Sequence, residues 1–157
     1  MNIDNYKYLF PYSCYINLTS QCNLRCKHCF GSYSTPHKNE LTWNEWKKVI
    51  DNLVKCKVFF VNLSGGEITQ SPYFRRFIKY LSKKGIHFIL TTNGIFSTNI
   101  RNFIIKHEEY LIGIKISLDG PDAKSHGFIR LDAKAKYNPK IFDITMKNIL
   151  FFKNKKI

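Results

Sequence analysis

No stretch of this chain stays apolar for the ~18 residues that a membrane-spanning helix needs, so a membrane protein is not expected. The opening residues, MNIDNYKYLF, carry an acid early and have no apolar signal core, which argues against export. Arginine is scarce: only Arg25, Arg75, Arg76, Arg101 and Arg130 accompany a lysine excess that takes the formal charge to +14. The planar fork that reads phosphates and bases is therefore rare, and the lysines are scattered as on solvated helix faces. Weak, non-specific, salt-sensitive nucleic-acid binding is the most that this charge predicts. Low-complexity segments and Pro/Gly-rich linkers are missing as well, so the 157 residues read as one domain, large enough to bury a core. A hydrophobic content of 44% excludes a disordered chain.

Cysteine is present in an odd number, five, with three of them inside the segment TSQCNLRCKHCF. With no export signal, such a cluster points to metal binding in a reducing cytoplasm and not to a disulfide framework. Cys22, Cys26 and Cys29 supply three thiolates from one loop. A four-iron cluster held by three thiolates keeps one iron open to a small molecule. A zinc site completed by Cys14, Cys56 or a histidine is the alternative, although structural zinc sites usually bring a second cysteine pair, which is lacking here. Cys14 in a strand and Cys56 at a helix end read as small apolar residues, and His28 reads as a packing residue.

Hydrophobic periodicity alternates between strand and helix. Ser13 to Thr19 forms a strand feeding the cysteine loop. Leu41 to Lys55 forms a helix, opened by Thr42 and Glu45 at capping-box spacing. The run Val58 to Leu63 has the continuous apolarity of a buried parallel strand. Phe74, Phe77, Ile78 and Leu81 share a helical stripe, with Gly85 placed for a C-terminal cap. Strands at Ile86 to Thr92 and Ile112 to Leu118 follow, separated by a helix from Thr98 to His107, and a last helix covers Ile141 to Lys153. Four strand–helix units in series predict an α/β fold with a parallel sheet.

Functional loops of such sheets gather at the carboxyl ends of the strands. The cysteines follow the first strand, and Gly65, Gly66 and Glu67 follow the second. Thr92, Asn93 and Gly94 follow the third, while Ser117, Asp119 and Gly120 follow the fourth. Four polar or glycine-rich strand ends on one rim describe a site. Asp119 and Asn93 are equally good turn formers and receive no role in substrate chemistry from their sequence context.

The motifs CNLRCKHC, SGGE, TTNG and SLDGPD, in this order, resemble those of the radical S-adenosylmethionine (radical SAM) enzymes. The phrase SLDGPDAKSHGFIR is similar to the branch of anaerobic sulfatase maturases and SPASM-type peptide maturases. The resemblance spans Tyr12 to Leu150. It implies that Cys22, Cys26 and Cys29 ligate a 4Fe-4S cluster whose open iron chelates the methionine part of S-adenosylmethionine. Gly65, Gly66 and the Glu67 carboxylate would hold the amino group of that cofactor, and His28 would lie against its adenine. Ser117 would reach its ribose or carboxylate side. Arg130 would pair with the carboxylate, although it reads equally well as a surface arginine. The implied activity is reductive cleavage of the cofactor to a 5′-deoxyadenosyl radical, which takes a hydrogen atom from a peptide or protein substrate. A flavodoxin- or ferredoxin-type donor would provide the electron.

Ile68 stands where the family usually has proline after GGE. A larger departure is that the family's partial (β/α) barrel has six strand–helix units and this pattern has four. Residues 1–157 are therefore expected to be a single truncated core, with its cluster loop at 19–31 and no C-terminal auxiliary-cluster domain. Strand four is expected to be an uncovered edge. Such a chain is expected to be weakly active or inactive alone, as a fragment or half of a split enzyme. A non-catalytic metal- or peptide-binding remnant is the other reading.

Overall fold

A computed structural model describes residues 11–157 of the chain; the opening segment read above for export signals lies outside the described residues. The chain order is β1 (Ser13–Asn17), β2 (Leu24–Cys26), α1 (Trp43–Lys55), β3 (Phe60–Ser64), α2 (Phe74–Lys83), β4 (His87–Thr92), α3 (Thr98–Ile105), β5 (Leu111–Ile116), α4 (Ala123–Ile129), β6 (Arg130–Asp132) and α5 (Lys140–Asn154). Short 3-10 turns occupy Ile68–Gln70 and Glu108–Tyr110. The main sheet has four strands in the order β1-β3-β4-β5, every pair parallel. This is the expected α/β sheet, a partial barrel wall.

Local chemistry explains the helix boundaries. At α1, Thr42 accepts from the Glu45 N–H and the Glu45 side chain returns a bond to Thr42 N–H, so the capping box forms. Gly85 follows α2 in the left-handed conformation, with φ 72. Ser97 caps α3 through the Ile100 N–H.

Strand register separates two faces. Ile16, Leu63, Leu90 and Ile114 lie in one row across the sheet, and the first three are buried. They pack with Trp46 and Ile50 of α1 and with Phe77, Ile78 and Leu81 of α2 in one core. The Trp46 and Phe77 rings meet edge to face, 5.4 Å apart. The opposite row holds Tyr15, Asn62, Ile89 and Gly113. There Tyr15 is 73% exposed, so this face is open at the β1 side.

β5 ends the sheet order, and Ile112 on it is exposed; among the described residues no strand pairs with its outer edge. Two elements were not foreseen from periodicity. Helix α4 follows β5, and a two-stranded antiparallel ribbon joins β2 to β6, with Cys26 opposite Arg130. The ribbon ties the cysteine loop to the segment after α4. Among the described residues, no helix is long and apolar enough to cross a membrane.

Candidate functional site

All four strand ends meet at one cavity of about 280 Å³. Cys22, Cys26 and Cys29 line it from the loop after β1, and Gly65 and Gly66 line it from the end of β3. His28, Ser117 and Arg130 complete the set. Sequence thus brings eight of its candidates to one wall, and the ninth, Glu67, sits immediately behind it.

The glycines are required by how closely two backbones approach. A Cβ on Gly66 would sit 2.4 Å from the Gln21 carbonyl oxygen, and one on Gly65 would sit 2.4 Å from that of Thr19. Gly65 also has φ 141, a conformation that L side chains rarely adopt. This closeness lets Gly66 N–H donate to Thr19 O and Glu67 N–H to Gln21 O, both at 2.8 Å. The Gly66 and Glu67 N–H groups are thus spent on the segment leading into the cysteine loop.

Glu67 is fully buried. Thr92 Oγ1 lies 2.8 and 2.9 Å from its two carboxylate oxygens. The Asn93 N–H donates to it at 2.8 Å, and Thr69 donates through N–H at 3.2 Å and Oγ1 at 2.7 Å. Burial raises its pKa, against the pull of these hydrogen bonds. In this geometry the carboxylate clamps the end of β4 to the end of β3.

Asn93 therefore matters more than its turn-forming character suggested, as does its neighbour Thr92. The Asn93 amide donates to Asn23 Oδ1 at 2.8 Å and lies 3.9 Å from Cys22 Sγ. Helix α5 supports the same loop: Asn148 donates to Gly94 O at 2.8 Å, and Thr145 donates to Asn93 O at 3.2 Å. Glu40 anchors the other end of the cysteine loop, accepting from Ser20 N at 2.6 Å, from Ser20 Oγ at 2.8 Å and from Thr19 Oγ1 at 3.0 Å. The polar strand end TTNG was visible in the sequence, whereas Glu40 gave no local signal.

Arg130 is not a surface arginine; it is 9% exposed. Its Nε lies 2.6 Å from Asp119 Oδ2, although its N–H is not aligned for a hydrogen bond. His28 is exposed and stands 3.8 Å from the same Asp119 oxygen. Burial pushes the Cys22 and Cys26 thiols up, and the Arg130 charge opposes this at Cys26.

A single zinc ion draws its sulfurs to ~2.3 Å from one centre. Among the described residues, no group of three or more His, Cys, Asp or Glu side chains is placed to hold one ion. The three cysteines nevertheless share one cavity. Three thiols lining one cavity are placed to serve a common metal group.

Comparison with known proteins adds independent findings. The family description "Radical SAM superfamily" matches residues 16–156. The mycofactocin maturase MftC of Mycobacterium tuberculosis is 34% identical over 113 residues, covering 72% of this chain and 29% of that protein. The chain thus spans under a third of that relative's length. Among solved structures, native anSMEcpe with bound AdoMet matches with a TM-score of 0.71 at 20% identity, covering 94% of this chain and 42% of that one. Streptococcus suis SuiB bound to precursor peptide SuiA matches with a TM-score of 0.69 at 20% identity, covering 80% of this chain and 28% of that one. At these identities the structures establish the fold.

Proposed function

Because this chain belongs to the radical SAM superfamily, whose members bind a 4Fe-4S cluster and S-adenosylmethionine, we propose that its cavity holds both groups and serves the modification of a peptide or protein. The carrying observation is the convergence of Cys22, Cys26 and Cys29 with Gly65, Gly66, Ser117 and Arg130 on one cavity. When bound, the cluster and cofactor supply one-electron chemistry that yields a 5′-deoxyadenosyl radical for hydrogen abstraction.

Residues of this chain have distinct tasks in that reading. The three thiolates ligate the cluster, and the Gly65 and Gly66 carbonyls accept from an ammonium group. Glu67 keeps those carbonyls in place through Thr92 and Asn93 and contributes negative charge behind them. Ser117 offers a hydroxyl at the rim, and Arg130 offers the unbonded part of its guanidinium to a carboxylate. His28, exposed beside Cys29, presents a flat face to an adenine ring. Its relatives support the substrate class: MftC is a maturase, and SuiB was crystallised with a precursor peptide. A soluble one-electron protein donor is part of the proposal.

We further propose that residues 1–157 form part of the catalytic barrel, as one domain. The four-stranded sheet, its open Tyr15 face and the β5 edge, unpaired among the described residues, support this. An open face would leave reactive chemistry there exposed to side reactions, so turnover by this chain alone is expected to be low.

Anaerobic reconstitution with iron and sulfide tests the cluster. About four irons per chain and a broad absorption shoulder in the blue are expected, both lost in Cys26→Ala. No cluster in the wild type, or one that survives Cys26→Ala, overturns the assignment.

A further inference from the structure

A guanidinium that is mostly out of water needs partners for its charge. Arg130 has two. Its Nε faces Asp119 Oδ2 at 2.6 Å, and its Nη1 lies 3.8 Å from Cys26 Sγ. Backbone structure fixes this placement. The β2–β6 ribbon puts Arg130 opposite Cys26, and Lys27 N–H donates to Ile129 O at 3.0 Å beside it. Asp119 is held in turn, because its N–H donates to Nδ1 of the fully buried His126 at 3.2 Å. The cysteine loop, the end of β5 and the segment after α4 thus converge on one cation and one anion next to the Cys26 sulfur.

Given the cluster reading above, we propose that Asp119 and Arg130 are a positioning pair that sets the charge beside the Cys26 thiolate and thereby the reduction potential of the cluster it ligates. A cation against a ligating sulfur favours the more negative, reduced state, and charge and hydrogen bonding at the sulfurs are levers on cluster potential. The β2–β6 ribbon places the arginine opposite Cys26, and Asp119 offsets part of its positive charge. Its removal therefore acts on the potential in the opposite sense to removal of Arg130. A pair that only braced the loop would produce no such opposition. The remaining guanidinium nitrogen, Nη2, makes no hydrogen bond among the described residues, so this role is compatible with carboxylate binding by the same arginine.

The test uses the full 157-residue chain, reconstituted anaerobically as wild type, Arg130→Met, Arg130→Lys and Asp119→Asn. Midpoint potentials are read by dye-mediated titration followed by electron paramagnetic resonance, and circular dichroism confirms folding. In Arg130→Met the ratio of reduced to oxidised cluster at a fixed potential is expected to fall about tenfold, or about 59 mV for one electron. Asp119→Asn is expected to shift the ratio upward, and Arg130→Lys to fall between Arg130→Met and wild type. If Arg130→Met does not fold, the sign of the Asp119→Asn shift decides. A wild type that loads its cluster while both substitutions leave the potential unmoved, or move it in one direction, overturns the pair alone. A wild type that takes up no cluster overturns the cluster reading, and the pair with it.

Discussion

Replacing Glu67 by alanine tests whether this buried carboxylate holds the rim of the site together. In the native chain it accepts from two backbone donors, Asn93 N–H and Thr69 N–H, and from the Thr69 and Thr92 hydroxyls. Hydroxyls can rotate towards other acceptors, but the two N–H groups cannot. Leaving a buried donor unsatisfied costs about 1–3 kcal/mol. Release from the burden of burying a carboxylate returns part of that sum, so a net loss of about 2–4 kcal/mol is expected. For a domain of this size each kcal/mol corresponds to about 2–4 °C, which gives a melting temperature lower by roughly 4–16 °C. Glu67→Gln keeps one acceptor oxygen but turns an NH₂ towards donors, so it should recover no more than about half of the loss. Thermal unfolding followed by circular dichroism measures both. The sign with pH is also set. Burial places the folded pKa of Glu67 above the unfolded value of 4.5, so its contribution is full below about 4.5 and declines as pH rises through the folded pKa. The gap between wild type and Glu67→Gln should therefore be wider at pH 5 than at pH 8. A melting temperature for Glu67→Ala within about 2 °C of wild type would refute the clamp.

Other expectations follow from the same geometry. Gly66→Ala puts a methyl 2.4 Å from the Gln21 carbonyl, a backbone atom that cannot swing aside; a loss of about 1–3 kcal/mol and reduced iron uptake are expected by melting and iron analysis. Glu40 behaves oppositely to Glu67 with pH. Burial raises its pKa, but hydrogen bonds from Ser20, Thr19 and His37 outweigh this and hold the carboxyl below its usual value of 4.5. Its stabilisation is thus full above about 4.5 and lost as pH falls through the folded pKa. Wild type and Glu40→Gln should differ in melting temperature at pH 7 and converge in acid.

Local signals carried much of this structure into the sequence. The Thr42–Glu45 box, the stripe from Phe74 to Leu81 and the apolar run before Ser64 each act over a few residues, and α1, α2 and β3 formed where they predicted. Strand boundaries moved by a residue or two, as when β3 ran Phe60–Ser64 in place of Val58 to Leu63, because ladder pairing and not hydropathy ends a strand. The rim was legible since glycine and polar residues have few other reasons to follow every strand. The β2–β6 ribbon was not legible. Its strands are three residues each, too short for any period, and Cys26 and Arg130 lie 104 positions apart. Helix α4, at seven residues, is likewise too short for a clear stripe. Asp119 illustrates the general reason: a turn former and an ion-pair partner look alike until the fold supplies the arginine.

The account rests on a cluster with one iron open to S-adenosylmethionine, and electron paramagnetic resonance addresses that directly and independently of turnover. The reconstituted chain is reduced with dithionite, and its spectrum is recorded before and after S-adenosylmethionine is added. A reduced four-iron signal that changes shape on addition, and that is absent in Cys26→Ala, is the predicted result. A wild-type signal that S-adenosylmethionine leaves unchanged, or no cluster signal at all, would contradict the account.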